Sequence, residues 1–240
     1  RANSIIQQFV TNFMMALNPQ ITKSYAAGDK EDAFKLACRG SRFSFYIMFI
    51  LALPVMLESH YILKLWLVTP PENTDVFMIW TILATLATML GNTLVTLQMA
   101  HGNIRHYQIW VTIFGCLPFP LTWIAFKLGS SVFVAYYIYV ASYWGLIFVR
   151  YYLVHEMTGI PAKMYLGGVV AKTHFVALVA TIVPLGLRLV MNEGIIRLLI
   201  VGAVSIISSL ITIYTLGLDK SEKIFMQNKF NDMVISKFHK

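Results

Sequence analysis

Long apolar stretches separated by short polar segments are the feature that most constrains this sequence. They lie at 43–57, 76–100, 107–126, 132–149, 166–187 and 195–216. A bilayer core about 30 Å thick needs about 20 apolar residues per helix, and most of these stretches reach or approach that length. Only 12% of the residues are charged, about half the share of an ordinary soluble domain. Because lipid offers the backbone no hydrogen-bond partners, the stretches predict an all-α integral membrane protein.

The first residues follow a helical pattern that is too short to cross a bilayer. The pattern covers 3–17 and is expected to end at Asn18-Pro19, since the residue before a proline is disfavoured in a helix. About seven transmembrane helices are therefore predicted. The expected organisation is the end of a truncated transmembrane helix at 1–18, a cytoplasmic loop at 19–42 with a turn at Gly28-Asp29, six transmembrane helices at 43–216 and a cytoplasmic tail at 217–240.

Basic residues are distributed unequally between the two sides of this arrangement. If the stretches cross alternately, one side has only Lys64, Lys127, Arg188 and Arg197. The other side has Lys23, Lys30, Lys35, Arg39, Arg42, Arg105, Arg150, Lys163, Lys172, Lys220, Lys223, Lys229, Lys237 and Lys240. Cytoplasmic loops are enriched in Lys and Arg, so this side and the C-terminus are predicted to be cytoplasmic. We therefore assign the net charge of +8 to topology and expect no nucleic-acid partner.

Two of the helices are predicted to have a polar face. In the stretch at 76–100 the polar residues recur at helical spacing: Thr81, Thr85, Thr88, Asn92 and Thr96. This face could line a hydrated pathway, or it could pack against a neighbour with each Thr hydroxyl bonded to its own preceding turn. In the first segment the face contains Asn3, Gln7, Thr11 and Asn18, and so many amide groups favour the cavity interpretation.

Aromatic and small residues form two further faces. Tyr136, Tyr139 and Tyr143 share one side of their helix, where the rings could stack on sugars or belong to the aromatic belt at the membrane interface. The belt is the favoured interpretation because Tyr136 lies near the end of the stretch. The small polar strip in the last stretch indicates helix packing, and its members are Ser205, Ser208, Ser209 and Thr212.

No sequence motif for catalysis or metal binding is found. HExxH, GxSxG and a phosphate-binding glycine loop are missing from the sequence. Cys38 and Cys116 are far apart and have no nearby His pair at metal-ligand spacing. No acidic residue lies near the centre of a stretch, since Glu58, Asp75, Glu156 and Glu193 are at the ends. The sequence therefore predicts neither an enzyme nor a cofactor.

The first 110 residues resemble a known group of membrane proteins. The segments that carry the resemblance are FVTNF at 9–13, ALNPQITKSYAAGD at 16–29, RGSRFS at 39–44, ILKLWL at 62–67 and AHGNIRHYQ at 100–108. They are similar to bacterial polysaccharide flippases of the O-antigen (Wzx) type, which belong to the MOP superfamily together with the MATE drug exporters.

This resemblance implies a carrier with two helix bundles around a central cavity. The chain would be the second bundle, its partners the missing N-terminal bundle, membrane lipids and lipid-linked oligosaccharide. Such a carrier serves surface polysaccharide and lipopolysaccharide synthesis in the bacterial cytoplasmic membrane. Cationic cavity residues are expected for a pyrophosphate-linked sugar, and Arg1 is the candidate here. The alternatives are a cation-coupled small-molecule exporter of the MATE type and a membrane-embedded polysaccharide polymerase.

Overall fold

A computed structural model describes the backbone of residues 2–67 and 69–224. Within these ranges it describes side chains at residue 8 and from residue 10 onward. Arg1, the side chains of Asn3 and Gln7, and the part of the expected tail at 225–240 lie outside the described residues.

The described chain folds into helices, and no strand occurs within these ranges. The α-helices are α1 Ala2–Ala26, α2 Lys30–Leu57, α3 Ser59–Leu67, α4 Thr74–His101, α5 Ile104–Cys116, α6 Pro118–Lys127, α7 Phe133–Thr158, α8 Lys172–Val190 and α9 Ile195–Thr212. A π-helical segment, Lys163–Ala171, runs directly into α8, and another, Ile213–Gly217, continues α9.

Six helical segments of the described chain are long and apolar enough to cross a membrane. They are Lys30–Leu57, Thr74–His101, Ile104–Lys127, Phe133–Thr158, Lys163–Val190 and Ile195–Gly217. Each contains one of the six long stretches predicted from the sequence. The all-helical class and the membrane-spanning character of these segments thus agree with the prediction, and the six segments indicate a multi-pass membrane protein.

The expected end of the first helix at Asn18-Pro19 is wrong. Helix α1 continues through Pro19 to Ala26, and α2 already begins at Lys30, so the segment 19–42 is helical except for a short turn. Pro19 lacks the N–H that would bond to the Met15 carbonyl. Both residues are on the exposed side of α1, while Val10, Met14 and Ile21 on the other side are buried. Packing of the buried side therefore holds the helix through the proline.

The expected turn at Gly28-Asp29 is present. Gly28 has a φ of 86°, a conformation that glycine adopts without the penalty that a Cβ would bring. The Asp29 carboxylate accepts a hydrogen bond from the backbone N–H of Asp32 at 3.0 Å and caps α2. A turn of three residues therefore joins two long helices.

Successive long helices run in alternating directions. Helices α1 and α2 are antiparallel, because Leu17 lies against Gly40 and Phe13 lies against Phe43. The contact of Phe77 with Tyr136 near one end of α4 and α7, and of Gly91 with Arg150 further along, shows that these two helices are parallel. Helices α2 and α9 are antiparallel, with their contacts spread from Glu58–Arg197 at one end to Tyr46–Gly217 near the other.

This alternation gives the bundle a basic end. The turns at 27–29, 102–103 and 159–162 lie at this end, and the turns at 128–132 and 191–194 lie at the other. Eleven of the fourteen basic residues assigned to one side belong to the helix halves and turns of the basic end. The other three, Lys229, Lys237 and Lys240, lie outside the described residues. We call the two ends the basic end and the opposite end.

The most buried helices of the bundle are α2 and α4. Their buried residues contact α1, α7, α8 and α9, whereas α5 and α6 lie at the periphery beside α7. Large apolar side chains on the outer helices are exposed, among them Trp123, Leu178 and Leu199. An exposed apolar surface of this kind is suited to lipid.

Candidate substrate surface of helices α4 and α7

The threonines on α4 bond mainly to their own helix. The hydroxyl of Thr81 donates to the Phe77 carbonyl at 2.8 Å, and that of Thr85 donates to the Thr81 carbonyl at 2.9 Å. Thr88 donates to the Ala84 carbonyl at 3.1 Å. These hydroxyls are satisfied as the packing interpretation expects, although each oxygen keeps acceptor capacity.

The polar faces of α1 and α4 meet at the basic end. Thr96 is buried and donates its hydroxyl hydrogen to Oδ1 of Asn18 at 2.9 Å. Asn92, one turn away, is half-buried, and its Nδ2 lies 3.9 Å from the Met89 sulfur, which is a weak acceptor. Thr11 lies on an exposed part of α1. At Thr96 the two faces are therefore joined by direct helix packing.

The other end of the α4 polar face opens into an aromatic cleft between α6 and α7. This cleft has a volume of about 690 Å³ and includes Thr81 in its wall. The three tyrosines of the predicted aromatic face all line it: Tyr136, Tyr139 and Tyr143. The Tyr136 ring stacks on Phe77 with centroids 4.3 Å apart, and the Tyr139 and Tyr143 centroids are 4.6 Å apart. The tyrosines thus form the wall of a cavity.

Arg150 is a cation next to this surface that the sequence reasoning missed. It is half-buried in α7, and its Nη1 donates to the Tyr107 hydroxyl at 3.3 Å. The Arg150 Cδ would lie 3.1 Å from a Cβ added at Gly91, so the glycine leaves room for the arginine. Thr88 and Tyr143 line a small cavity of about 20 Å³ together with Arg150. In the described part of the chain, no carboxylate forms an ion pair with this arginine.

The sequence placed Arg150 in a loop because the apolar stretch ends at Val149. Helix α7 instead continues to Thr158. The helical spacing offered a signal, since Arg150 follows Tyr143 by seven residues, or two turns, and therefore shares its face. The aromatic cleft and the small cavity at Arg150 have Tyr143 in common.

A network of charges ties three segments together at the basic end. The buried Arg42 guanidinium donates from Nη2 to Glu222 at 2.6 Å and to Asp219 at 2.7 Å. Arg39 also bonds to Glu222, and the Lys172 ammonium lies 2.6 Å from Asp219. The network joins α2, the start of α8 and the chain that follows α9. Arg42, which was expected in a loop, is a helical residue of this structural clamp.

Asp219 is held in its charged form by this network. Burial raises the pKa of its carboxyl group, but the hydrogen bond from Lys172 and the positive charges of Arg42 and Lys172 outweigh burial. The pKa of Asp219 therefore lies below its ordinary value.

A second charged contact lies at the opposite end. Glu58 is 1% exposed, and its Oε2 accepts from Nη2 of Arg197 at 2.9 Å and from Nε at 3.2 Å. The other carboxylate oxygen, Oε1, has no hydrogen-bond partner among the described residues. Glu58 follows the last residue of α2, at the helix end that the sequence indicated. The contact connects α2 to α9.

The described residues contain no group of three or more His, Cys, Asp or Glu side chains that could hold a metal ion. Both cysteines are free thiols. The polar groups of the candidate surface are the threonine hydroxyls and the Asn92 amide of α4, and the tyrosine hydroxyls and the Arg150 guanidinium of α7.

Comparison with protein-family models, with curated proteins and with solved structures gives no match for this chain. The resemblance to polysaccharide flippases therefore rests on the sequence segments that carry it.

Proposed function

We propose that this chain is the second helix bundle of a MOP-type carrier that moves lipid-linked oligosaccharide across the bacterial cytoplasmic membrane. The observation that carries the proposal is Arg150, a cation inside a membrane helix that forms no ion pair with a described carboxylate. It lies beside Thr88 and Tyr143 of the polar and aromatic surface. The proposal also draws on the sequence resemblance.

A charged arginine inside the bilayer core has an unfavourable free energy unless a ligand or a water-filled cavity compensates its charge. Helix α7 has 26 residues and is roughly 39 Å long at 1.5 Å per residue, longer than a bilayer core of about 30 Å. Arg150 is eight residues before the end at Thr158, so with α7 centred in the bilayer it lies inside the core. Ionisable residues there usually mark substrate or ion pathways. A guanidinium pairs well with the pyrophosphate of a lipid-linked sugar.

The distribution of basic residues between the two ends of the bundle indicates which side of the membrane Arg150 is nearer. Under the positive-inside rule the basic end is cytoplasmic, and the C-terminus lies on the same side. Arg150 belongs to the half of α7 nearer the basic end. A lipid-linked pyrophosphate synthesised in the cytoplasmic leaflet would therefore meet Arg150 first.

The uncharged part of the surface suits a sugar that passes without reaction. Threonine oxygens on α4 and tyrosine hydroxyls on α7 offer hydrogen bonds, and the tyrosine rings offer stacking. Transport requires no covalent chemistry, so we propose a carrier and not an enzyme. The N-terminal bundle of the same protein would supply the facing wall of the cavity.

The test uses cells in which the gene for the full protein is deleted and replaced by variants. Arg150→Gln is expected to reduce surface polysaccharide roughly tenfold, corresponding to about 1.4 kcal/mol of lost anion binding. Lipid-linked intermediates should accumulate in the inner leaflet. Arg150→Lys should restore part of the export, because it keeps the charge but loses the two-pronged contact.

Arg105→Gln is the matched control, since Arg105 is an exposed basic residue of the same end of the bundle. It should export normally once its abundance in the membrane is matched. Normal export by Arg150→Gln, or unchanged polysaccharide and intermediates after deletion of the gene, would refute the proposal.

Cation-coupled export of small molecules is the second candidate function. The buried Glu58 favours it, because one carboxylate oxygen has no hydrogen-bond partner among the described residues and could bind a coupling cation. This function predicts that Glu58→Gln abolishes drug resistance conferred by the full protein and leaves surface polysaccharide unchanged. The opposite pattern would favour the flippase.

A further inference from the structure

A groove between α5 and α7 lies at the basic end of the bundle. It has a volume of about 580 Å³, which is within the range of small-ligand sites. Helix α5 contributes His106, Trp110 and Phe114, and α7 contributes Phe148, Tyr152 and Glu156. We call it the α5–α7 groove. It shares no residue with the aromatic cleft or with the small cavity of Arg150.

The α5–α7 groove is open to the side of the bundle. Trp110 is 42% exposed, Phe148 is 54% exposed and Tyr152 is 59% exposed. All three belong to segments that are apolar enough to span a membrane, so their exposed surface faces lipid when the segments cross a bilayer. A lipid therefore reaches the groove laterally, without crossing the bundle.

The ionisable groups of the groove lie at its outer end on both helices. Helix α5 begins at the basic end, and His106 precedes Phe114 by eight residues, or roughly 12 Å along the helix. Helix α7 ends at the basic end, and Glu156 follows Phe148 by the same number of residues. The groove is thus polar near the membrane surface and aromatic towards the membrane centre. A phospholipid of the adjacent leaflet has the same order, with its head group outermost and its chains directed inward.

Glu156 gives the outer end of the groove a negative charge. Its side chain is exposed, and no described Lys or Arg forms an ion pair with it. Trp110 and Tyr152 line the same groove, and the faces of aromatic rings attract ammonium groups. An ammonium also donates charge-assisted hydrogen bonds to a carboxylate. A carboxylate combined with aromatic rings therefore favours an ammonium group over an anion.

His106 supplies a hydrogen-bond donor at the same end of the groove. The indole Nε1 of Trp110 donates to Nε2 of His106 at 3.1 Å. Because Nε2 accepts this hydrogen bond, the proton of the neutral imidazole is on Nδ1. This N–H has no acceptor among the described residues. It is therefore available to a phosphate oxygen of a lipid whose ammonium contacts Glu156.

We propose that the α5–α7 groove binds a phospholipid whose head group ends in a primary ammonium, as in phosphatidylethanolamine. The ammonium contacts the Glu156 carboxylate and the rings of Trp110 and Tyr152. The phosphate accepts a hydrogen bond from Nδ1 of His106, and the acyl chains lie along the deeper aromatic rings. An anionic head group would place its charge beside the carboxylate, and a choline head group has no N–H to donate. The site goes beyond the proposed transport function, since it uses no residue of the candidate substrate surface.

The test measures lipid binding to the purified full protein by native mass spectrometry. The probes are phosphatidylethanolamine, phosphatidylcholine and phosphatidylglycerol with identical acyl chains. Phosphatidylethanolamine is expected to bind about tenfold more tightly than either of the others, because only its head group has an ammonium that donates to Glu156. The monomethyl and dimethyl derivatives of phosphatidylethanolamine lose these N–H groups one at a time, so their affinities should decrease stepwise.

Two variants separate the contact to the ammonium from the contact to the phosphate. Glu156→Gln should reduce the preference over phosphatidylcholine to about twofold or less. His106→Ala should weaken both lipids by a similar factor of about five and keep the preference, because both have the phosphate. Glu31→Gln is the matched control and should change nothing. Glu31 is an exposed carboxylate of the same end that pairs with Lys35 and does not line the groove.

Two measurements on the unaltered protein do not depend on folding of the variants. A photoreactive phosphatidylethanolamine should crosslink to 104–116 and 148–156. Soluble phosphoethanolamine should not displace the bound lipid, because it lacks the chains that fill the deeper part of the groove.

Equal binding of the three phospholipids would overturn the proposal and leave the groove as part of the general aromatic belt. An unchanged preference in a folded Glu156→Gln variant, or crosslinks confined to other helices, would also overturn it. Displacement by soluble phosphoethanolamine would assign the groove to a water-soluble amine instead of a lipid. Normal export by Arg150→Gln would refute the transport function and leave this lipid site unaffected.

Discussion

At the scale of single residues, charged side chains of this bundle have different environments although they look alike in the sequence. Arg42 and Arg197 are paired with carboxylates that lie far away along the chain. Arg150 contacts a tyrosine hydroxyl and forms no ion pair with a described carboxylate. The two paired arginines connect helices that are far apart along the chain, whereas the proposed function assigns Arg150 to an anionic ligand.

Removing the arginine of the opposite end should destabilise the bundle. Arg197→Met leaves the buried Glu58 carboxylate without its partner, and breaking a buried ion pair in this way costs about 3 kcal/mol. Thermal unfolding in detergent micelles would measure the loss. Glu193→Gln is the control, because Glu193 is more exposed and lies 3.6 Å from the same arginine. Its effect should stay within about 0.5 kcal/mol. Equal stability of both variants would contradict the structural role of the pair.

The clamp at the basic end should give an acid-dependent stability. The pKa of Asp219 is lowered in the folded protein, so its contribution is fully present above the pKa of the unfolded chain and is lost as the pH falls through the folded value. Unfolding temperatures measured from pH 7 down to pH 3 should therefore fall less steeply for Asp219→Asn than for the unaltered protein. Parallel curves would show that Asp219 does not contribute to the acid sensitivity.

At the scale of helices, proline and glycine act according to what surrounds them. Pro19 is on an exposed side and leaves α1 intact, whereas Pro118 and Pro120 lie at a break between α5 and α6. Gly40 lies where α2 approaches α1 and α4, because an added Cβ would meet Leu17 and would lie 2.9 Å from Thr93 Cγ2. The effect of a proline or a glycine thus depends on the contacts around it and not on the residue type alone.

The close approach at Gly40 can be tested by adding one methyl group. Gly40→Ala should destabilise the protein by about 1 to 2 kcal/mol, because Leu17 and Thr93 must move. Gly202→Ala is the matched control in α9, where the added Cβ meets no atom within 4 Å. It should be neutral or stabilise by up to about 1 kcal/mol through helix propensity. Thermal unfolding of the two variants in the same detergent measures the difference, and a stabilising Gly40→Ala would contradict the packing.

At the scale of the whole molecule, the alternating helix directions divide the basic residues between two ends. A chain with one helix fewer between α4 and α7 would place these two helices antiparallel, in conflict with the contacts Phe77–Tyr136 and Gly91–Arg150. The one-sided charge predicted from the sequence and the helix directions in the structure are thus mutually consistent.

The proposed orientation can be tested with single cysteines in a background that carries Cys38→Ala and Cys116→Ala. Asn103→Cys is in a turn at the basic end, and Ser131→Cys is in a turn at the opposite end. A membrane-impermeant maleimide should label Ser131→Cys in intact spheroplasts and Asn103→Cys only in inverted vesicles. Labelling of both from the same side would overturn the alternation.

The sequence by itself determined the membrane-spanning helices and the faces on which their polar residues lie. Hydropathy is a local property summed over about 20 residues, and helical spacing is fixed by the backbone, so neither requires knowledge of the neighbours. The six long apolar segments and the common face of Tyr136, Tyr139 and Tyr143 could therefore be predicted. The continuation of α1 beyond Pro19 could not, because the packing of its buried side decides it.

Only the tertiary structure decided what each polar face contacts. The polar face of α4 is hydrogen-bonded to Asn18 at Thr96 and lines the aromatic cleft at Thr81, although its residues are evenly spaced along the helix. Arg150 becomes a candidate anion-binding residue because it lies against Gly91 and Tyr107, from two other helices, and pairs with no carboxylate among the described residues. Such environments depend on contacts between residues that are 43 to 78 positions apart, and a local pattern holds no information about them.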